Sequence, residues 1–105
     1  MNIQNQSVSQ WSIPAVDVWE RDGDFSLRVN LPGVRKENVD LRVERGVISL
    51  EARREDRSEV GYRRVLRLPE EVDVDQIGAE MQHGVLEISL PRASRFRGRT
   101  IDVRG

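Results

Sequence analysis

His83 is the only histidine in the chain, and there is no cysteine. A general base, a thiolate nucleophile and a transition-metal centre are the chemistries these residue types serve, and each needs partners at a set spacing. His83 stands one residue before Gly84, at a turn, where a residue tolerant of unusual backbone angles is wanted. A turn role outweighs a catalytic one. The 18 carboxylates fall in charged loops or on the polar side of alternating segments, which marks solvated surface. No glycine-rich phosphate loop follows a strand and opens a helix, and no calcium-loop spacing is present. The expectation is therefore no catalytic set, no cofactor and no metal, and a chain that is not an enzyme.

The charges point the same way. The chain has 17 basic and 18 acidic residues, and Lys36 is its only lysine. So balanced a field favours neither nucleic acid nor an anionic membrane. The arginine-rich tail lacks the interleaved aromatics of a single-strand binder. No apolar run is long enough to span a membrane and no secretory pattern opens the chain, so the cytoplasm is the expected compartment. With 105 residues, 37% hydrophobic, it has room for one modest core but not for a deep catalytic cleft. What remains is surface for binding proteins.

The elements that carry such a surface read as strands. Ala79–Pro91 is the central stretch. A short strand runs into His83-Gly84 and returns with Leu86, Ile88 and Leu90 on one face, the period of a half-buried strand. Val16 and Val18 alternate with Asp17 and Trp19, then Asp22-Gly23 marks a hairpin. Phe25, Leu27, Val29 and Leu31 form the cleanest alternation, ended by Pro32-Gly33. Val34–Asn38 reads as a polar connection with at most one helical turn. Val39, Leu41 and Val43 precede the turn Arg45-Gly46, and Ile48, Leu50 and Ala52 follow it. Glu55–Val60 reads as a charged loop. Tyr62–Leu68 resumes as a strand, with Arg64 on its apolar side, where it is either paired with a buried carboxylate or close to an interface. Glu70–Gly78 is an acidic connector whose Val72, Val74 and Ile77 pin it to the core.

Seven or eight short strands at regular spacing, without helical periodicity, give an all-β chain folded as a two-sheet antiparallel sandwich. The expected organisation is a mobile arm over 1–13, the sandwich over 14–91 and an extension over 92–105, of which Arg92–Arg99 is a flexible linker. Trp11 and Ile13 in the arm either dock on the sandwich or stay exposed as a contact for client proteins. Ile101 and Val103 project to one side of an extended segment. Sheet edges invite strand addition, so this pair either fills two pockets beside a neighbour's edge or folds back on its own sandwich.

These residues also resemble a known family. Ala79-x-x-x-His83-Gly84-Val85-Leu86 is similar to the signature A-x-x-x-N-G-V-L of small heat-shock proteins, with His in place of the usual Asn. Leu31-Pro32-Gly33-Val34 resembles the family's L-P-G turn, Pro14-Ala15-Val16-Asp17-Val18 its opening strand, and Arg64–Pro69 the block with an arginine five residues before a proline. Ile101-Asp102-Val103 resembles its I-x-I/V motif. The resemblance implies an immunoglobulin-like alpha-crystallin domain and an ATP-independent holdase that binds unfolding proteins under stress. It implies Arg64 as an interface arginine. It also implies a tail-docking groove between the strands matching Val39–Val43 and Ala79–Gln82, with Val39, Leu41, Val43, Met81, Leu86 and Ile88 as candidate lining.

Two departures shape the expected assembly. Relatives from bacteria and plants carry an extra strand in a long loop before the arginine-bearing strand and swap it into a partner. Here Glu55–Gly61 is too short for that. The arm is also short and polar. Dimers or small oligomers, formed with itself or with other small heat-shock proteins, are expected rather than large shells. The alternative function is a non-enzymatic co-chaperone adaptor of the same sandwich class that docks on a larger chaperone. It would have no use for Ile101 and Val103.

Overall fold

A computed structural model describes residues 8–98 and 100–105. Eight strands follow in order: β1 Gln10–Ser12, β2 Val16–Arg21, β3 Asp24–Asn30, β4 Val34–Glu44, β5 Val47–Arg54, β6 Val60–Arg67, β7 Gly78–Gln82 and β8 Val85–Leu90. They form two four-stranded sheets, in the orders β1-β6-β5-β4 and β2-β3-β8-β7. The pairings are antiparallel except β1 with β6, which is parallel and sets Trp11 opposite Gly61.

Three hairpins share one turn chemistry. Asp22-Gly23, Arg45-Gly46 and His83-Gly84 all hold both central residues at positive φ, the signature of a type I′ turn whose twist matches the flanking strands. His83 sits at φ 51°, a backbone role that accounts for its place without any catalysis.

Alternation then decides what is inside. Leu27 and Val29 of β3 and Leu86, Ile88 and Leu90 of β8 face Ile48, Leu50 and Ala52 of β5 and Tyr62 of β6. Leu31, Val34, Leu68 and Val72 join the same core, and Leu31 is fully buried. Each such side chain contributes roughly 1.5–3 kcal/mol by leaving water.

Four expectations are corrected. Val34–Asn38 is not a connection but the first half of β4. Val34 faces Arg54 and Val39 faces Ala52, so five steps along β4 match two along β5, and a bulge absorbs the surplus. The end of the arm is not free: the N–H groups of Ser9 and Gln10 both donate to the Glu59 carbonyl at 2.9 Å and start β1. The expectation for Met1–Ser7 lies outside the described residues. Val74 is half exposed, because it opens a 3-10 turn over Val74–Gln76 and points out, whereas Val72 is buried and Ile77 packs on the core.

The fourth concerns the linker. Arg92 bridges to Val72, the Ala93 N–H donates to the Glu71 carbonyl at 2.6 Å, and Ser94–Phe96 makes a second 3-10 turn. Arg97 Nη2 then donates to Asp24 Oδ1 at 2.6 Å. Polar partners in the acidic connector and the first hairpin hold this stretch. The expectation for Arg99 lies outside the described residues.

Candidate protein-binding surfaces

No group of three or more histidine, cysteine or carboxylate side chains among the described residues is arranged to hold a metal ion. An open concavity of about 540 Å³ lies on the outer face of β4 and β5. Its walls carry Asp40, Arg42, Glu51 and Arg53. These charges neutralise one another: Arg42 Nε is 3.4 Å from Asp40, and Arg63 Nε donates to Glu51 at 3.2 Å. These are solvent-facing ion pairs of the kind that cover an exposed sheet face.

Val8, Trp11, Val39 and Ala52 line the same concavity, and further apolar features lie along the sheet edges. Arg64 of β6 reaches Pro14, just before β2, with Nη1 donating to the carbonyl at 3.4 Å. That places the β6 end of one sheet against the β2 end of the other. The edge strands β4 and β7 therefore lie together at the opposite side. Each has one unpaired side. Along β4, Val39 and Leu41 are half-buried against the core and Val43 is 37% exposed. Along β7, Met81 is half-buried. Ala79, which precedes Met81 by two residues and shares its face, is exposed. The same alternation that marks Met81 would have marked Ala79.

Leu86 and Ile88 are at neither edge. Both are 3% exposed, on β8, one strand in from the edge, with their side chains in the core. Alternation gives the face of a strand but not its place in the sheet, and these two belong to the interior.

Arg64 is half-buried on the inner face, opposite Leu50. Among the described residues no carboxylate comes within ion-pairing distance of it. The Pro14 carbonyl is its partner instead of a buried acid. Trp11 lies on the outer face over Gly61, with the Arg63 guanidinium 3.9 Å from its ring centroid. Ile13 is 76% exposed.

The tail leaves the domain from an anchor on one side chain. Asp24 Oδ1 accepts from the backbone N–H of Arg92 at 2.8 Å as well as from Arg97. The Arg92 N–H, and after it Arg97, holds this carboxyl below its ordinary value of 3.8. Beyond that anchor Ile101 and Val103 project into solvent, 75% and 94% exposed. On this chain the pair is not folded back onto its own sandwich.

The sequence profile of the Hsp20/alpha crystallin family matches residues 17–104. The chain is 27% identical over 106 residues to small heat shock protein C2 of Rickettsia felis, an alignment covering 89% of this chain and 69% of that one. It is 34% identical over 104 residues to the 18 kDa antigen 2 of Mycobacterium avium, covering 88% and 75%. Among solved structures, a small heat-shock protein from Xylella fastidiosa, described as having a distinct high order structure, superposes with a TM-score of 0.73. It is 29% identical, over 92% of this chain and all of that one.

Proposed function

The chain belongs to the Hsp20/alpha crystallin family, and from that premise we propose that it is an ATP-independent holdase, a non-enzymatic chaperone that captures unfolding proteins. One observation carries the reading. The chain pairs an exposed two-point apolar tail, Ile101 and Val103, with two unpaired sheet edges, those of β4 and β7, which frame the proposed groove. In an extended segment the two tail side chains stand about 7 Å apart on one side. Val39, Leu41 and Val43 repeat at that same two-residue spacing along one lip, with Met81 and Ala79 on the other. Strand addition supplies backbone hydrogen bonds and the side chains fill alternate pockets. A tail docked on a neighbour assembles the protein. A tail released leaves the groove open to an extended apolar segment of a client, whose own exposed surface is costly in water. Trp11 and Ile13, at the opposite edge, add a second apolar contact for clients.

The test is light scattering of a heat-aggregating client without nucleotide. Suppression at near-stoichiometric amounts is the expected result. Replacing Ile101 and Val103 with Ala is expected to reduce particle size in solution while the sandwich stays folded. No suppression by the folded wild-type protein would sink the holdase reading and favour an adaptor. Unchanged size and unchanged protection in the tail variant would sink the groove assignment alone.

A further inference from the structure

The outer edge of β2 is unpaired, and its sequence, Asp17-Val18-Trp19-Glu20-Arg21, is complementary to itself when run antiparallel. The geometry points to a two-fold dimer in which β2 of one copy pairs with β2 of a second copy about Trp19, so that Asp17 of each faces Arg21 of the other. This rests on the reading that the chain self-associates and says which edge it uses.

The first support is the backbone. Arg21 and Asp24 close a two-residue hairpin, so in β2 the odd-numbered residues exchange hydrogen bonds with β3. The Asn30 N–H donating to the Ala15 carbonyl at 3.2 Å fits that phase. Val16, Val18 and Glu20 accordingly turn their N–H and C=O groups outward, free for a second strand. The alternation also restricts how two such edges meet: an outward-directed residue must face an outward-directed one.

The second is charge. A two-fold at Val18 sets Asp17 against Trp19 and Glu20 against Val16, with no charge pair. A two-fold at Glu20 opposes two glutamates, and one at Asp17 opposes two aspartates. Only the two-fold at Trp19 brings opposite charges together, and it does so twice. Asp17 and Arg21 form no ion pair within the chain among the described residues. The rival edge fails the same examination. β6 is covered by β1 only over Val60–Tyr62. Its remaining stretch, Arg63-Arg64-Val65-Leu66-Arg67, has no carboxylate, so no two-fold on it brings opposite charges together, and one about Val65 opposes Arg63 to Arg67. Like charges directly opposite are destabilising.

The third is apolar surface that the dimer would cover. Trp19 is 42% and Val18 61% exposed. Arg28, itself paired with Glu87 at 2.9 Å, lies over the Trp19 ring at 5.3 Å from its centroid and holds it at the edge. At the two-fold the Trp19 rings meet in a non-hydrogen-bonded pair, where side chains come closest. The loop after β5 is no competitor for β2. The Glu55 N–H donates to the Gly33 carbonyl at 2.8 Å and the Asn38 amide donates to Glu55 at 2.9 Å, so this loop is bound to its own domain.

The chain's lack of cysteine makes the test clean. A non-hydrogen-bonded pair has Cα atoms about 4.5 Å apart, within the range a disulfide spans. Full-length Trp19→Cys should oxidise to a covalent dimer, whereas Val65→Cys, at a position more exposed still on the β6 edge, should not. The crosslink should form as well with Ile101 and Val103 replaced by Ala, so its outcome is separate from that of the tail and of client protection. By analytical ultracentrifugation, Asp17→Arg and Arg21→Asp should each weaken dimerisation at least tenfold. Mixing the two should restore dimers as heterodimers, and the double variant should dimerise with itself. Absence of the Trp19→Cys crosslink, crosslinking through Val65→Cys instead, single charge variants that associate like wild type, or a mixture that stays monomeric would each overturn the assignment.

Discussion

Arg54 grips Asp56 with both arms of its guanidinium, Nε donating to Oδ1 at 3.0 Å and Nη2 to Oδ2 at 2.8 Å. The pair lies directly on Gly33, whose φ is +78°. A Cβ at that position would come within 2.8 Å of Arg54 Nε and 2.9 Å of Asp56 Oδ1. Tyr62 adds a third tie, its hydroxyl donating to the Pro32 carbonyl at 3.3 Å. The short loop after β5 and the Leu31–Val34 turn thus form one unit. A loop fastened this way covers its own domain rather than reaching for a neighbour.

The bidentate pair makes a pH prediction. Arg54 holds the Asp56 carboxyl below its ordinary value of 3.8. A depressed folded-state value stabilises the fold fully above the unfolded value and ceases to do so as pH falls through the folded one. Asp56→Asn should therefore lower Tm at pH 7, and the gap to wild type should close below about pH 3.8. Thermal unfolding by circular dichroism at several pH values checks it. A gap that persists at the acid end would show that the pair contributes nothing through charge. Both side chains touch water, so the effect at pH 7 should be small.

Leu31 tests the core. It is fully buried where the turn meets both sheets, and its N–H donates to the Gly84 carbonyl at 2.7 Å. Leu31→Ala should destabilise by about 2–5 kcal/mol, the usual range for a buried leucine. Urea unfolding with an unchanged slope would assign the loss to the native state. A cost below about 1 kcal/mol would mean the site collapses around the smaller side chain.

Most of the sandwich was legible in the sequence because its strands have one wet face. Leu27 and Val29, or Ile48 and Leu50, alternate with polar residues, and the X-Gly dipeptides mark each hairpin. Alternation says nothing about neighbours in a sheet. It therefore does not separate Leu86 and Ile88, on the inner strand β8, from Ala79 and Met81, on the edge strand β7. The first half of β4 was hidden because a bulge breaks the period between Val34 and Val39. β1 was hidden because three polar-flanked residues carry no pattern, and only a long-range partner, Gly61, gives Trp11 its place. The anchoring of the tail depends on Asp24, 73 positions from Arg97. No local signal reports such a contact.

Gly61 and Trp11 offer a direct readout. A Cβ at residue 61 would stand 2.8 Å from Trp11 Cζ3 and 3.0 Å from the Ala52 carbonyl oxygen. The ring, at an exposed edge, is the softer neighbour. Gly61→Ala should push Trp11 off the sheet, separate it from Arg63 and shift its fluorescence to the red. The measurement belongs in a Trp19→Phe background, since the chain has two tryptophans. If Trp11 is also a client contact, freeing it should alter protection of a client without changing particle size. An unshifted spectrum would mean that β1 moves with the ring and the parallel pairing is softer than its register implies.

Asp24 governs where the tail starts. Its Oδ1 accepts both the Arg92 N–H and Arg97 Nη2, fastening the extension to the first hairpin five residues before Arg97. Gly23 permits this approach: its φ is +85°, and a Cβ there would meet Arg92 Nη1 at 2.7 Å. Asp24→Asn retains an acceptor for the Arg92 N–H but loses the charge that holds Arg97. Tryptic cleavage after Arg95 and Arg97 should accelerate, by several-fold at low ionic strength and by less in high salt, where the wild-type pair is itself screened. The Ile101–Val103 pair would then swing from a pivot nearer Arg92, with a longer tether and a lower effective concentration at a neighbour's groove. Particle size should fall while urea stability of the sandwich stays within the range of a surface substitution. Equal cleavage rates in the two proteins would show that the 3-10 turn at Ser94–Phe96, not the ion pair, fixes the departure of the tail.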